Sequence, residues 1–110
     1  MSLVQKIRKA RESRVEVGGY TFIVLRPTAL DMTEIAGASR GRAILPFIIG
    51  WEGVKQLDII PGGDPHPLEF DADVCTEWLC DRIDLLGPIA TKAFELFVEY
   101  QAKLGAEKKS

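Results

Sequence analysis

Between Arg14 and Arg26 the chain alternates. Val15 and Val17 are separated by Glu16, a Gly18-Gly19 pair follows, and Tyr20, Phe22 and Val24 then interleave with Thr21, Ile23 and Leu25. Period-two alternation on both sides of two glycines predicts a β-hairpin, because a tight primed turn needs positive φ that glycine adopts without strain. The second arm is apolar on both faces, so one face is expected to meet helices and the other a neighbouring chain. A hairpin alone is marginal in water and has to pack on something.

The rest of the pattern is helical or broken. Leu3, Val4 and Ile7 share one side of a short basic helix over residues 2–12, or of an arm that orders on a partner, since so short a helix is marginal without packing. Pro27 ends the second strand. Thr28 and Asp31 are spaced as a cap for a helix over Ala29–Ala38, punctuated by Gly37 and Gly41. The apolar run from Ala43 to Trp51 predicts a second helix that kinks at Pro46 or restarts near Leu45. Three prolines and two glycines between Pro61 and Glu69 predict a loop, with a short extended piece at Leu57–Ile60. Asp71 is placed to cap a helix over Ala72–Ile83 striped by Val74, Trp78 and Leu79. Gly87-Pro88 opens the last helix, where Ile89, Ala90, Ala93, Phe94, Phe97, Val98, Gln101 and Leu104 repeat at helical spacing and Gly105 stands as its C-cap. The expected fold is α+β and predominantly helical, an N-terminal hairpin followed by about four helices. A basic arm (1–13) precedes one globular domain (14–105) and a polar tail (106–110).

Composition narrows the class. Hydrophobic residues make up 46% and charged residues 27%, which fits a folded globular domain and not a disordered chain. No apolar stretch approaches the roughly 18 residues of a membrane span. The N-terminus is basic without an apolar segment behind it, and Cys75 and Cys80 are the only cysteines, so a reducing cytosol is the expected setting. Net charge is −2, but unevenly distributed. Lys6, Arg8, Lys9, Arg11 and Arg14 stand against Glu12 in the first fourteen residues. Eight acids stand against Arg82 between Asp58 and Asp84. This polarity suggests a partner surface or contact between copies, with Lys6, Arg8, Lys9 and Arg11 of one chain meeting Asp73, Glu77 and Asp81 of the next. A solvated tail and an acidic helix face would give the same pattern.

Catalytic chemistry finds little footing. His66 sits between two prolines with no partner that the sequence identifies. Cys75 and Cys80 have neither redox nor zinc spacing and read as small buried apolar residues. The acids around Asp64 lack the calcium-loop alternation, and Gly37 to Gly41 lacks the strand and Lys-Thr pair of a phosphate loop. No enzyme activity, metal or cofactor is expected. The basic arm lacks interleaved aromatics, so nucleic-acid binding through it is a weak alternative.

Several short elements together look familiar. They are the strand followed by Arg26-Pro27-Thr28, the Gly50-Trp51-Glu52-Gly53-Val54 run, the turn-rich loop, the Pro67…Phe70-Asp71 entry to a helix, and two closing helices. In this order they resemble the tail assembly chaperones of long-tailed bacteriophages, over roughly residues 14–104. The Pro-rich loop at 62–67 is longer than that pattern, and Pro46 is unusual for it. The resemblance implies a non-catalytic protein of the infected bacterial cytoplasm, absent from the finished virion. It implies binding to the tape-measure protein and recruitment of tail-tube subunits, and several copies along one client, joined by the charged contact above into a homo-oligomer, would gain avidity. A long helical client calls for an apolar face, expected at the hairpin edge and around Trp51 from Tyr20, Phe22, Val24, Phe47, Trp51 and Trp78, although in so small a domain the two tryptophans read first as core. Alternatives are a head–tail joining or tail-completion component and a small nucleic-acid-binding regulator.

Overall fold

The computed structural model describes residues 1–35 and 40–108. Helix α1 (Leu3–Ala10) leads into β1 (Glu12–Val17) and β2 (Tyr20–Leu25). Helices α2 (Ala29–Ile35) and α3 (Arg40–Ile44) follow, then a 3-10 turn at Leu45–Phe47 and strand β3 (Ile48–Glu52). Helix α4 (Gln56–Ile59), α5 (Ala72–Cys80) and α6 (Ile83–Lys108) complete an α+β fold that is mostly helical.

The hairpin forms as its alternation dictates. Gly18 and Gly19 sit at φ 61° and 85°, and Val15 pairs with Phe22, Val17 with Tyr20. Beyond Pro27 the Thr28 and Asp31 side chains cap each other's amides: the Thr28 amide donates to the Asp31 carboxylate at 2.8 Å, and the Asp31 amide to the Thr28 hydroxyl at 3.1 Å. The far end expected for this helix, at Ala38, lies outside the described residues.

Four expectations need correction. The run after Pro46 is not helical: Ile48–Glu52 becomes a third strand, antiparallel to β2, giving the order β1-β2-β3. Pro46 closes the preceding turn, and the free edge of β2 captures the β-branched and aromatic residues that follow. Leu57 to Ile60 is not extended. Gln56–Ile59 turns as α4, because the Lys55 amide finds the Asp58 carboxylate at 2.8 Å and the Gln56 side chain accepts from the Asp64 amide at 2.8 Å. The break between the closing helices falls at Asp81-Arg82 rather than Gly87-Pro88. Leu85 and Leu86 are buried on the stripe of Ile89 and Ala90, so burial draws them into α6 and leaves Pro88 inside it. Gly105 does not end that helix, and residues 106–108 of the expected tail belong to it.

The core lies between one face of the sheet and α3, α5 and α6. Val15, Phe22, Val24, Ile48 and Trp51 point inward from the strands and meet Cys75, Trp78, Leu79, Leu85, Ile89 and Ala93. On the other face Arg14 reaches from β1 diagonally across β2 to a two-pronged ion pair with Glu52 of β3.

Candidate interaction surfaces

The residues singled out around the tryptophans form one aromatic cluster. Tyr20 meets Trp78 edge-on at 5.2 Å between ring centroids, Trp51 meets Trp78 at 6.0 Å, and Phe70 meets Trp51 at 5.0 Å. Edge-to-face contacts of this kind suit the ring quadrupoles. The Gly-Trp-Glu-Gly-Val run and the Pro…Phe-Asp segment are thereby joined. Trp51 Nε1 donates to the Leu68 carbonyl at 2.8 Å, the Leu68 amide donates to the Val54 carbonyl at 2.8 Å, and Lys55 bridges to Pro67. Gly53, at φ 82°, supplies the left-handed residue that turns the chain out of β3. One residue past Phe70, Asp71 caps α5 by accepting from the Val74 amide at 3.0 Å.

This packing places most of the expected contact residues inside. Phe22 and Val24 are fully buried, and Trp51 and Trp78 are 8% and 4% exposed. Their apolar area is spent on the core, and as folded they offer no contact face. Tyr20 and Phe47 are half-buried against the same core. The Tyr20 hydroxyl lies between Asp58 and Arg82, and burial together with Asp58 raises its pKa.

The charged residues stay on the surface, at two ends of the sheet. Lys6, Arg8 and Lys9 project from α1, whose ten-residue stretch from Met1 is exposed throughout, and Lys9 pairs with Glu12 at 3.2 Å. Arg11 is half-buried where α1 meets β1. Asp73, Glu77 and Asp81 are exposed one helical turn apart along α5 and its C-cap. Arg82, just beyond, holds Asp84 through Nε and Nη2 at 3.0 and 2.9 Å, which keeps that carboxyl below its usual range.

Reactive groups are dispersed. His66 is exposed and rests on the Asp64 carboxylate two residues away, a partner the sequence did not reveal. The His66 amide, which donates to the same carboxylate at 2.8 Å, and then the ring lower the Asp64 pKa. Burial pushes the Cys75 thiol up to about 12, whereas Cys80 is exposed, contrary to the buried reading of both. Among the described residues no group of three His, Cys, Asp or Glu could hold a metal ion, and no helix is long and apolar enough to cross a membrane.

The sequence reading missed two surfaces. One is a cleft of about 180 Å³ lined by Arg11, Arg26, Leu96, Glu99, Tyr100 and Lys103. In it the Arg26 guanidinium stacks on the Tyr100 ring at 3.8 Å, and desolvation lowers its pKa. The other is the far half of α6. The stripe that packs on the sheet, Leu86, Ile89, Ala90, Ala93 and Phe97, continues through Tyr100 to Leu104, which are 40% and 38% exposed, while Val98, at 63%, lies about a third of a turn to one side of it. Its periodicity was legible, but where the core stops beneath it was not. No family model, no curated protein and no solved structure matches the chain.

Proposed function

We propose that this chain is a tail assembly chaperone of a long-tailed phage or prophage. It binds the tape-measure protein reversibly in the host cytoplasm, helps recruit tail-tube subunits, and leaves before the virion is complete. The reading rests on the resemblance of the strand, Gly-Trp-Glu-Gly-Val and Pro…Phe-Asp elements. The observation that most favours it is the apolar stripe of α6 running past the end of the core. A helix of 26 residues is about 39 Å long, longer than the sheet it packs on. Its far half presents Tyr100 and Leu104, 40% and 38% exposed, one turn apart on that stripe, a spacing that an extended helical client can follow. Exposed apolar groups on a charged surface suit a holder that must grip greasy helices and let them go.

Co-expression tests this directly. The tape-measure protein is expected in the soluble fraction with this chain and in aggregates without it, and the chain is expected to be missing from purified virions. A client equally soluble in its absence would remove the chaperone reading. Stoichiometric recovery from virions would replace it with a joining or completion component.

A further inference from the structure

The basic and acidic groups of the chain sit at opposite ends of the sheet, and both ends look incomplete. At one end α1 buries none of its residues, yet carries Leu3, Val4 and Ile7, at 72%, 56% and 45% exposed, beside Lys6, Arg8 and Lys9. A Ser2–Gln5 capping box holds its first turn. Eight residues, none of them buried, make a marginal helix in water. Next to it the Arg11 Nε is shut off from solvent with no hydrogen-bond partner. Arg26, half-buried in the same cleft, has a ring and a main-chain carbonyl as partners and is in no ion pair among the described residues. Three cations, Arg11, Arg26 and Lys103, face a single carboxylate, Glu99, there. Half-buried cations without counter-charge are costly, and a carboxylate brought from outside would relieve them.

The other end is complementary. β1 runs about 20 Å from Arg11 to the Gly18-Gly19 turn. Leu85 packs against Gly18 there, and Tyr20 lies between Asp58 and Arg82. Asp58 and Arg82 reach this turn through Tyr20, and Arg82 holds Asp84. The elements that carry them, α4, the end of α5 and the start of α6, also bear Glu77, Asp81 and three apolar residues left in solvent nearby in sequence, Leu57 at 46%, Ile60 at 55% and Ile83 at 78% exposed. The length of β1 separates the two ends within one molecule.

We infer that copies of this chain associate head to tail, the α1 face and Arg11–Arg26 cleft of one copy seating the acidic, apolar turn end of the next. The contact joins two different surfaces, so it propagates into a row or closes into a ring instead of stopping at a two-fold dimer. This deepens the chaperone reading and rests on it only for its purpose, since a row of copies would hold a long helix with the avidity of many weak contacts.

Light scattering and sedimentation on the purified full chain test it with two sets of exposed substitutions. Lys6→Glu with Arg8→Glu and Lys9→Glu makes both ends acidic. Glu77→Lys with Asp81→Lys makes the turn end basic. Wild type is expected to form concentration-dependent oligomers at low salt that dissociate at high salt. Each variant alone is expected to associate at least about tenfold more weakly, with an unchanged circular dichroism spectrum, and an equimolar mixture of the two should restore association, because every contact again joins opposite charges. Wild type that stays monomeric at low salt overturns the proposal, as does a dimer indifferent to both sets or a mixture that fails to assemble. Capture of the tape-measure protein is scored separately. A monomer that still holds its client would sink the head-to-tail contact and leave the chaperone reading standing.

Discussion

The indole Nε1 of Trp51 donates to the main-chain carbonyl of Leu68, seventeen residues on, at 2.8 Å. This bond fastens the last strand to the end of the proline-rich loop and so sets where Asp71 can start α5. The consequence is a division of labour between the ring and its nitrogen. Trp51→Ala should cost about 3–5 kcal/mol through lost burial and the cavity left among Phe70 and Trp78. Trp51→Phe keeps most of the packing and should cost about 1–3 kcal/mol, chiefly by leaving the Leu68 carbonyl unpaired. Urea titration followed by circular dichroism checks both. A Trp51→Phe variant as stable as wild type would mean that the hydrogen bond contributes nothing.

The hairpin turn makes a sharper distinction between neighbours. Gly18 and Gly19 both have positive φ, but a Cβ on Gly18 would come within 2.5 Å of Leu85 Cδ2, while one on Gly19 meets nothing within 4 Å. Gly18→Ala should therefore cost about 1–3 kcal/mol from backbone strain alone, and more because Leu85 must move. Gly19→Asn should be nearly neutral, since asparagine tolerates the left-handed region. Thermal unfolding that ranked the two the other way would disprove this account of the turn.

These elements also show what could be read from the residues. The hairpin, the Thr28–Asp31 cap and the Asp71 cap rest on neighbours within a few positions, and local chemistry specified them. Ile48–Glu52 did not read as a strand because Ile-Ile-Gly-Trp satisfies a buried helix as well as a buried strand. Its partner, β2, lies more than twenty residues upstream. Pro46 and two adjacent isoleucines were the available signal. The start of α6 was hidden for the converse reason: Gly87-Pro88 is a strong local stop, and only the burial of Leu85 and Leu86 beneath the sheet overrides it. At the candidate surfaces the charges were legible and their placement at opposite ends was not. Which aromatics become core is likewise a property of the assembled sheet.

The two cysteines should differ in reactivity by their surroundings. Thiolate is the reacting form, and burial holds Cys75 at about 12, so at neutral pH it is protonated as well as inaccessible. Cys80 is exposed at the end of α5. A thiol reagent in native buffer should modify Cys80 promptly and reach Cys75 only at the rate of unfolding. Mass spectrometry that found Cys75 labelled as fast as Cys80 would contradict the packing of α5.

Acid stability should respond to Glu52. Its carboxyl is lowered by the hydrogen bonds and charge of Arg14, so its folded pKa lies below the ordinary 4.5. A lowered folded value means the stabilisation is complete above the unfolded pKa and is lost as pH falls through the folded one. Asp64 and Asp84, lowered from 3.8 by His66 and Arg82, act with the same sign. Stability should thus hold above about pH 4.5 and fall below it, with a shallower fall in Glu52→Gln. All three pairs are exposed, so salt should shrink the difference. A variant whose acid profile overlays wild type at low salt would show the Arg14 pair to be inert.

The uncovered half of α6 yields the prediction closest to function. Leu104 stands on the stripe past its last buried residue, Phe97, and Val98 is exposed to one side of it, so charging them leaves the core untouched: Val98→Glu with Leu104→Glu should change stability by no more than about 0.5 kcal/mol per site. If this face holds the client, the same pair should reduce recovery of the tape-measure protein in co-purification by about tenfold or more, because a charge at the centre of an apolar contact is desolvated without a partner. Ile49 provides the contrast. It is 39% exposed on β3, and Ile49→Glu should unfold nothing and leave recovery near wild type. Should Ile49→Glu abolish capture while the α6 pair leaves it intact, the gripping face would be the edge of the sheet, and the overrun of the helix stripe would have some other use.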